Sequence, residues 1–102
     1  MDLKVTVRKA ADFTPEMEDY LQRKVAHLEH YSNQETFRVE AIIVQDRFQK
    51  ICELMLHLKK KELFARASDV DFKLAIDEAS QKLKAQMEKY FKKKIEEKRR
   101  RQ

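Results

Sequence analysis

Residues 36–59, TFRVEAIIVQDRFQKICELMLHLK, hold two alternating runs back to back. Phe37, Val39, Ala41 and Ile43 recur at every second position from Thr36 to Gln45, and Cys52, Leu54, Leu56 and Leu58 do so from Lys50 to Lys59. Successive side chains of a strand point to opposite faces, so each run reads as a strand with one buried face. The polar Asp46-Arg47 between them reads as a hairpin reversal. Downstream, Lys59-Lys60-Lys61-Glu62 makes the next reversal, and Leu63 to Ser68 forms a short fourth strand. Upstream, Leu3, Val5 and Val7 alternate with Asp2, Lys4, Thr6 and Arg8, which predicts a first strand over residues 2–8. The sequence has no Gly, so turns that need positive φ must use Asn33, Asp46, Asp69 or a Lys at some steric cost.

Two helices frame these strands. Thr14-Pro15 reads as N-cap followed by first helical residue: the Thr hydroxyl can accept from a free backbone N–H, and Pro has no N–H to leave unpaired. Met17, Leu21, Val25 and Leu28, with Tyr20 and Tyr31 beside them, recur at helical spacing, and Glu16, Glu18 and Asp19 complement the positive end of the helix dipole. The spacing predicts a helix from 15 to about 31, ended by Ser32-Asn33. Asp71 is the expected N-cap of a second helix whose stripe is Phe72, Ile76, Ala79, Leu83, Met87 and Tyr90. Continued to about Lys98, it would be roughly 40 Å long, more than a four-stranded sheet covers, so its last turns should project. Residues 99–102 read as a basic tail.

The order β-α-β-β-β-α makes strand one to strand two a crossover, which favours parallel pairing, and the later short turns an antiparallel meander. Each helix has one stripe to bury, and one sheet face can take both. The expected fold is α+β in two layers: a four-stranded mixed sheet with two helices on one face, resembling double-stranded RNA-binding domains. A chain of 102 residues holds one core, so residues 1–98 are expected to form a single domain.

Charged residues make up 40% of the chain and its net charge is +5, but the distribution is uneven. Residues 81–102 hold ten Lys or Arg against three Glu, whereas residues 1–80 hold thirteen against fifteen acids. A local positive field favours polyanions through counterion release, so a nucleic acid or an anionic membrane surface is the natural partner class. The uncharged runs fall far below the roughly 20 apolar residues of a membrane span, and the N-terminus has no apolar export segment. A lone cysteine, Cys52, fits a reducing cytoplasm.

Three stretches resemble one family. Phe13-Thr14-Pro15-Glu16, then Tyr20-Leu21 and Lys24-Val25-Ala26-His27-Leu28-Glu29-His30-Tyr31, is similar to its "TP…KLAKLEKY" helix. Asp71-Phe72-Lys73-Leu74-Ala75-Ile76-Asp77 is similar to "DMYAAID", and Gln81-Lys82-Leu83-Lys84-Ala85-Gln86-Met87 to "DKLERQL". The family is that of the short-form ribosome hibernation-promoting factors, also called protein Y. The resemblance implies a factor that binds 16S rRNA of the small (30S) subunit, or of the 70S ribosome, in the channel for messenger and transfer RNA. It implies inhibition of translation under stress or in stationary phase, without enzymatic activity or cofactor, in a cytoplasmic protein that is monomeric off the ribosome. Long members carry a further C-terminal dimerisation domain, which the chain ending at Gln102 is expected to lack.

By position, Lys24, Lys82 and Lys89 match basic positions of the family, whereas His27 and His30 stand where Lys is usual and Ala85 where Arg is common. That substitution weakens the expected phosphate contact of the first helix at neutral pH. The spacing of Lys82, Lys89 and Lys93 independently places them within about 20° of one line on the second helix, a cationic ridge beside the buried stripe. With Lys92, the candidate rRNA contacts are Lys24, His27, His30, Lys82, Lys89, Lys92 and Lys93. Lys suits phosphate contact by charge and shape; nothing resembles the Arg fork that reads base edges.

Other readings fit less well. His27 and His30, with His57, lack the defined spacing of a metal site. Cys52 shares a face with Leu54 and Leu56 and reads as a small buried residue. No phosphate loop, nucleophile triad or paired carboxylates in an apolar setting occurs. Two alternatives to the ribosome factor remain. A double-stranded RNA-binding module would need a Lys-rich, Gly-containing approach to its last helix, where Ser68-Asp69-Val70-Asp71 is acidic. A protein-interaction module would dock through Met87, Tyr90, Phe91 and Ile95 of the long helix.

Overall fold

The computed structural model describes residues 1–98 in full and the helical backbone of residues 99 and 100. The elements run β1 (Asp2–Arg8), α1 (Pro15–His27), a 3₁₀ turn (Leu28–Tyr31), β2 (Arg38–Asp46), β3 (Gln49–His57), β4 (Glu62–Asp69) and α2 (Phe72–Arg100). They form one sheet of order β1-β2-β3-β4, with β1 parallel to β2 and the other pairs antiparallel. This is the expected α+β arrangement. Register aligns Leu3, Val39, Leu56 and Leu63 in one row and Val5, Ala41, Leu54 and Ala65 in the next. These rows face the helices, and Leu21, Val25 and Leu28 join Phe72, Ile76, Ala79, Leu83 and Met87 over them in one continuous core.

The caps are the ones the sequence predicts. Thr14 Oγ1 accepts from the Met17 N–H at 3.3 Å, and Asp71 Oδ1 accepts from the Lys73 N–H at 2.9 Å. Three local expectations need correction. The first helix is α-helical only to His27 and tightens into the 3₁₀ turn, where the Ser32 hydroxyl donates to the Glu29 carbonyl at 2.9 Å. That bond draws the chain out of α geometry before Asn33 and Gln34 take positive φ of 52° and 63°. In the β2–β3 hairpin, Asp46 pairs with Gln49, so Arg47 rather than Asp46 carries the positive φ, 57°. The α2 stripe ends on Phe91, which is buried, and not on Tyr90, which is half-buried.

From Lys92 to Lys98 every side chain is exposed, so the last turns of α2 do project. The helix is continuous to Arg100, two residues past its expected end; of the expected tail, Arg101 and Gln102 lie outside the described residues. Among the described residues, no helix is long and apolar enough to cross a membrane.

Candidate nucleic-acid interface

Antiparallel pairing of β3 with β4 carries the turn between them to the end of the sheet toward which α2 runs. The turn closes with the Leu58 N–H donating to the Lys61 carbonyl at 2.8 Å. Its position is fixed from outside by Glu35, a mostly buried side chain with both carboxylate oxygens engaged. Oε1 accepts from the Lys59 N–H at 2.9 Å, and Oε2 lies 3.7 Å from Lys94 Nζ. One carboxylate thus ties the turn to the distal half of α2. Between them runs an open groove lined by Lys60 and Lys61 on one side and Lys89, Lys93 and Lys94 on the other, with Leu63 and Tyr90 at its floor. Two acids also line it: Glu62, whose carboxylate is hydrogen-bonded to His57 at 3.0 Å, and Glu97, so five lysines outnumber two glutamates. Among the described residues no ion pair forms to Lys60, Lys61, Lys89 or Lys93.

A second group of cations sits where the two helices meet. The Tyr20 hydroxyl donates to Asp77 Oδ1, and Lys24 Nζ lies 3.2 Å from the same oxygen. Lys24 and Lys73 both approach the Tyr20 ring, at 5.6 and 5.8 Å from its centroid. The hydrogen bond to Asp77 raises the Lys24 pKa above its ordinary value, and the same carboxylate raises that of Tyr20, so the ammonium and the neutral phenol are the favoured forms. This crevice is an internally bonded cluster in which one carboxylate, Asp77, faces two lysines, so part of the positive charge remains.

The structure therefore divides the seven candidate residues. Lys89 and Lys93 lie in the groove, and Lys92 is exposed on the adjoining face. Lys82 is on the same helix edge but donates from Nζ to the Arg66 carbonyl at 2.9 Å, while Gln86 one turn on donates to the Phe64 carbonyl at 2.6 Å. These two side chains cap alternate carbonyls of the edge strand β4, so Lys82 keeps its charge but commits one N–H of the predicted ridge to the fold. Lys24 is in the crevice. His27 and His30 are exposed at the end of α1, rings 4.9 Å apart. His57 is far from them in register, bonded to Glu62 and, at 3.3 Å, to Glu40.

Sequence reasoning missed Lys60, Lys61, Lys94, Glu35 and the Tyr20–Asp77 bond. The Lys59-Lys60-Lys61 run was the available signal; it reads only as a turn until the topology places it beside α2. Burial pushes the Cys52 thiol up to about 12, consistent with an inert core residue.

Comparison with known proteins bears on this arrangement. The chain is 32% identical over 85 residues to a ribosome hibernation promoting factor of Azotobacter vinelandii, covering 83% of this chain and 78% of that protein. The N-terminal domain of Thermus thermophilus protein Y superposes with a TM-score of 0.79 at 20% identity, covering 88% of this chain and 99% of that one. A ribosomal subunit interface protein from Coxiella burnetii gives 0.78 at 20% identity, covering 88% and 97%. Those two likenesses establish a shared fold. Residues 3–95 match the family described as sigma 54 modulation protein / S30EA ribosomal protein. With nearly the whole folded chain inside that match, and a relative above 30% identity, the chain belongs to the sigma 54 modulation protein / S30EA ribosomal protein family.

Proposed function

We propose that residues 1–98 are a single ribosome-binding domain that occupies the messenger and transfer RNA channel of the small subunit, contacts 16S rRNA and inhibits translation as a hibernation factor. It acts by occupancy and not by catalysis, in the cytoplasm, as a monomer when off the ribosome. The observation that carries this reading is the groove of Lys60, Lys61, Lys89 and Lys93, four cations to which no ion pair forms among the described residues, and which with Lys94 outnumber the two glutamates of the groove, Glu62 and Glu97. Like charges repel, and a fold that gathers them unneutralised gains when a polyanion supplies the counter-charge. The family supports the identity of that polyanion. The geometry also disfavours docking through the apolar residues of α2, because Met87 and Phe91 belong to the core.

The test is binding to purified small subunits across a salt series at fixed magnesium, with and without initiator transfer RNA. Contact with five or six phosphates predicts a log-log slope on the order of −4 to −5, taking about −0.9 per phosphate. Initiator transfer RNA should compete. A slope near zero, or stoichiometric binding of both at saturation, would overturn the reading.

A further inference from the structure

The apolar stripe of α2 outruns the strand beside it. Leu83, Met87 and Tyr90 follow one another at helical spacing, but β4 begins at Glu62 and offers no core-facing residue before Leu63. Leu63 is only 6% exposed, whereas Tyr90 is half-buried and opens on the groove, so the accessible apolar part of the floor is chiefly one tyrosine ring. Its neighbours hold that ring without stacking on it. Phe91 meets it at 5.0 Å with the planes 71° apart. Lys94 Nζ stands 5.8 Å from its centroid, at the outer limit of a cation–π contact, and is itself paired with Glu35.

Charge surrounds the ring on both sides. Lys60 and Lys61 stand on the turn and Lys89, Lys93 and Lys94 on the helix, against Glu62 and Glu97. Glu62 is bonded to His57 and Lys94 to Glu35, which leaves four lysines against Glu97. Phosphate contact by itself needs no apolar floor, since it follows charge alone. A ring between two cationic walls matches a chain that carries phosphates and flat apolar faces together. The groove holds about 640 Å³, enough for a nucleotide-sized group. In a duplex the bases are paired and stacked inside, so only phosphates, sugars and base edges reach a protein surface. In a single strand, a base face is free to lie on an aromatic ring while the backbone follows the cations.

We propose that the groove takes an unpaired RNA strand in preference to a duplex, with one base stacked on Tyr90 and the flanking phosphates running between the Lys60–Lys61 and Lys89–Lys93 walls. The proposal rests on the reading of the groove as the RNA site and adds to it the form of RNA and the residue that selects it. Stacking discriminates little among bases, because each has a π face, so Tyr90 selects for an unpaired base and not for a sequence.

The experiment measures, by fluorescence anisotropy with the full chain, affinity for labelled RNAs of about 12 nucleotides per strand: oligo(A), an abasic strand with the same phosphates, and a duplex. Charge density alone ranks the duplex first. Expected instead is oligo(A) first, by about tenfold over the abasic strand. Tyr90→Leu, which keeps an apolar side chain but no ring, should erase that preference with its salt slope unchanged, and Tyr90→Phe should keep it; circular dichroism checks both folds. Small-subunit binding is measured on the same preparations. A duplex or an abasic strand that binds as tightly as oligo(A), no binding of any of the three, a folded Tyr90→Leu that retains the preference, or displacement of oligo(A) by ATP at equal nucleotide concentration each overturns the proposal, and does so without bearing on whether small subunits bind. Failure to bind small subunits overturns the ribosome reading, while a preference for oligo(A) that depends on the Tyr90 ring would still establish the groove as a single-strand site.

Discussion

Lys24 in the helix crevice and Lys89 in the groove are both lysines on amphipathic helices, yet the fold treats them oppositely. Lys24 is bonded to Asp77, which also takes the Tyr20 hydroxyl, so its charge is partly offset within the molecule. Lys89 faces Lys60, Lys61 and Lys93 with no carboxylate paired to any of them among the described residues. A count of basic residues weighs these positions equally. What separates them is whether another element brings an acid within reach, so the cations available to an external anion are those that tertiary structure leaves unpaired.

The largest expected effect tests that contrast directly. Changing Lys60, Lys61, Lys89 and Lys93 together to Gln should weaken small-subunit binding by roughly a hundred- to a thousandfold at about 0.1 M salt, and reduce the salt slope by about three to four. The melting temperature should hold or rise, since repulsion is relieved. Leu83→Ala is the converse variant: loss of a buried side chain should cost roughly 2–5 kcal/mol of stability while the groove's charges stay in place. Denaturant melts and binding isotherms on both proteins check the pair. A quadruple variant that binds normally would show that the groove is only a solvated surface.

A smaller effect is expected from Asp77→Ala. The ion pair is partly exposed and screened, contributing up to about 1 kcal/mol, and the Tyr20 hydrogen bond about 1 kcal/mol more. Stability should fall by about 1–2 kcal/mol. Binding should not fall with it: releasing Lys24 adds one available cation, so affinity should stay level or rise by less than about tenfold. A loss of binding at full folding would mean that Lys24 must be held in place to make its contact, and the contrast between the two regions would then be one of positioning and not of availability.

The smallest effect lies in alkaline pH. Tyr20, Lys24 and Cys52 all have pKa values raised in the folded state, the first two chiefly by their hydrogen bonds to Asp77 and Cys52 by burial. A raised folded value means that the protonated form is favoured by folding, so this stability is complete below the unfolded pKa and is lost as pH rises toward the folded one. Cys52 should begin the loss above about pH 8.5, amounting to about 1–2 kcal/mol near pH 10. Tyr20 and Lys24 should steepen it at higher pH. Thermal melts from pH 7 to 11 should show this wing, and Tyr20→Phe combined with Cys52→Ala should flatten it; an unchanged wing would place its origin elsewhere.

Nearly all of the fold was legible in the sequence because it is written in local terms. Period-two runs around Val39, Leu54 and Leu63 fixed three strands and their buried faces, and Thr14-Pro15 and Asp71 fixed two helix starts by hydrogen bonds that span only a few residues. Where neighbours compete at similar energy, local rules failed: Ser32 drew the end of α1 into a 3₁₀ turn, the positive φ moved from Asp46 to Arg47, and Phe91 displaced Tyr90 from the stripe. The site was legible as a charge bias toward the C-terminal end, and only in part as residues. Whether a lysine is free depends on partners distant in sequence, such as Asp77 for Lys24, Arg66 for Lys82 and Glu35 for Lys94. Likewise Lys60 and Lys61 join Lys89 and Lys93 only because antiparallel pairing returns their turn to the far end of α2. The sequence by itself determined the elements, their order and the sign of the charge. The tertiary structure decided which charges cancel, because Coulomb interactions follow distance in space and are indifferent to separation along the chain.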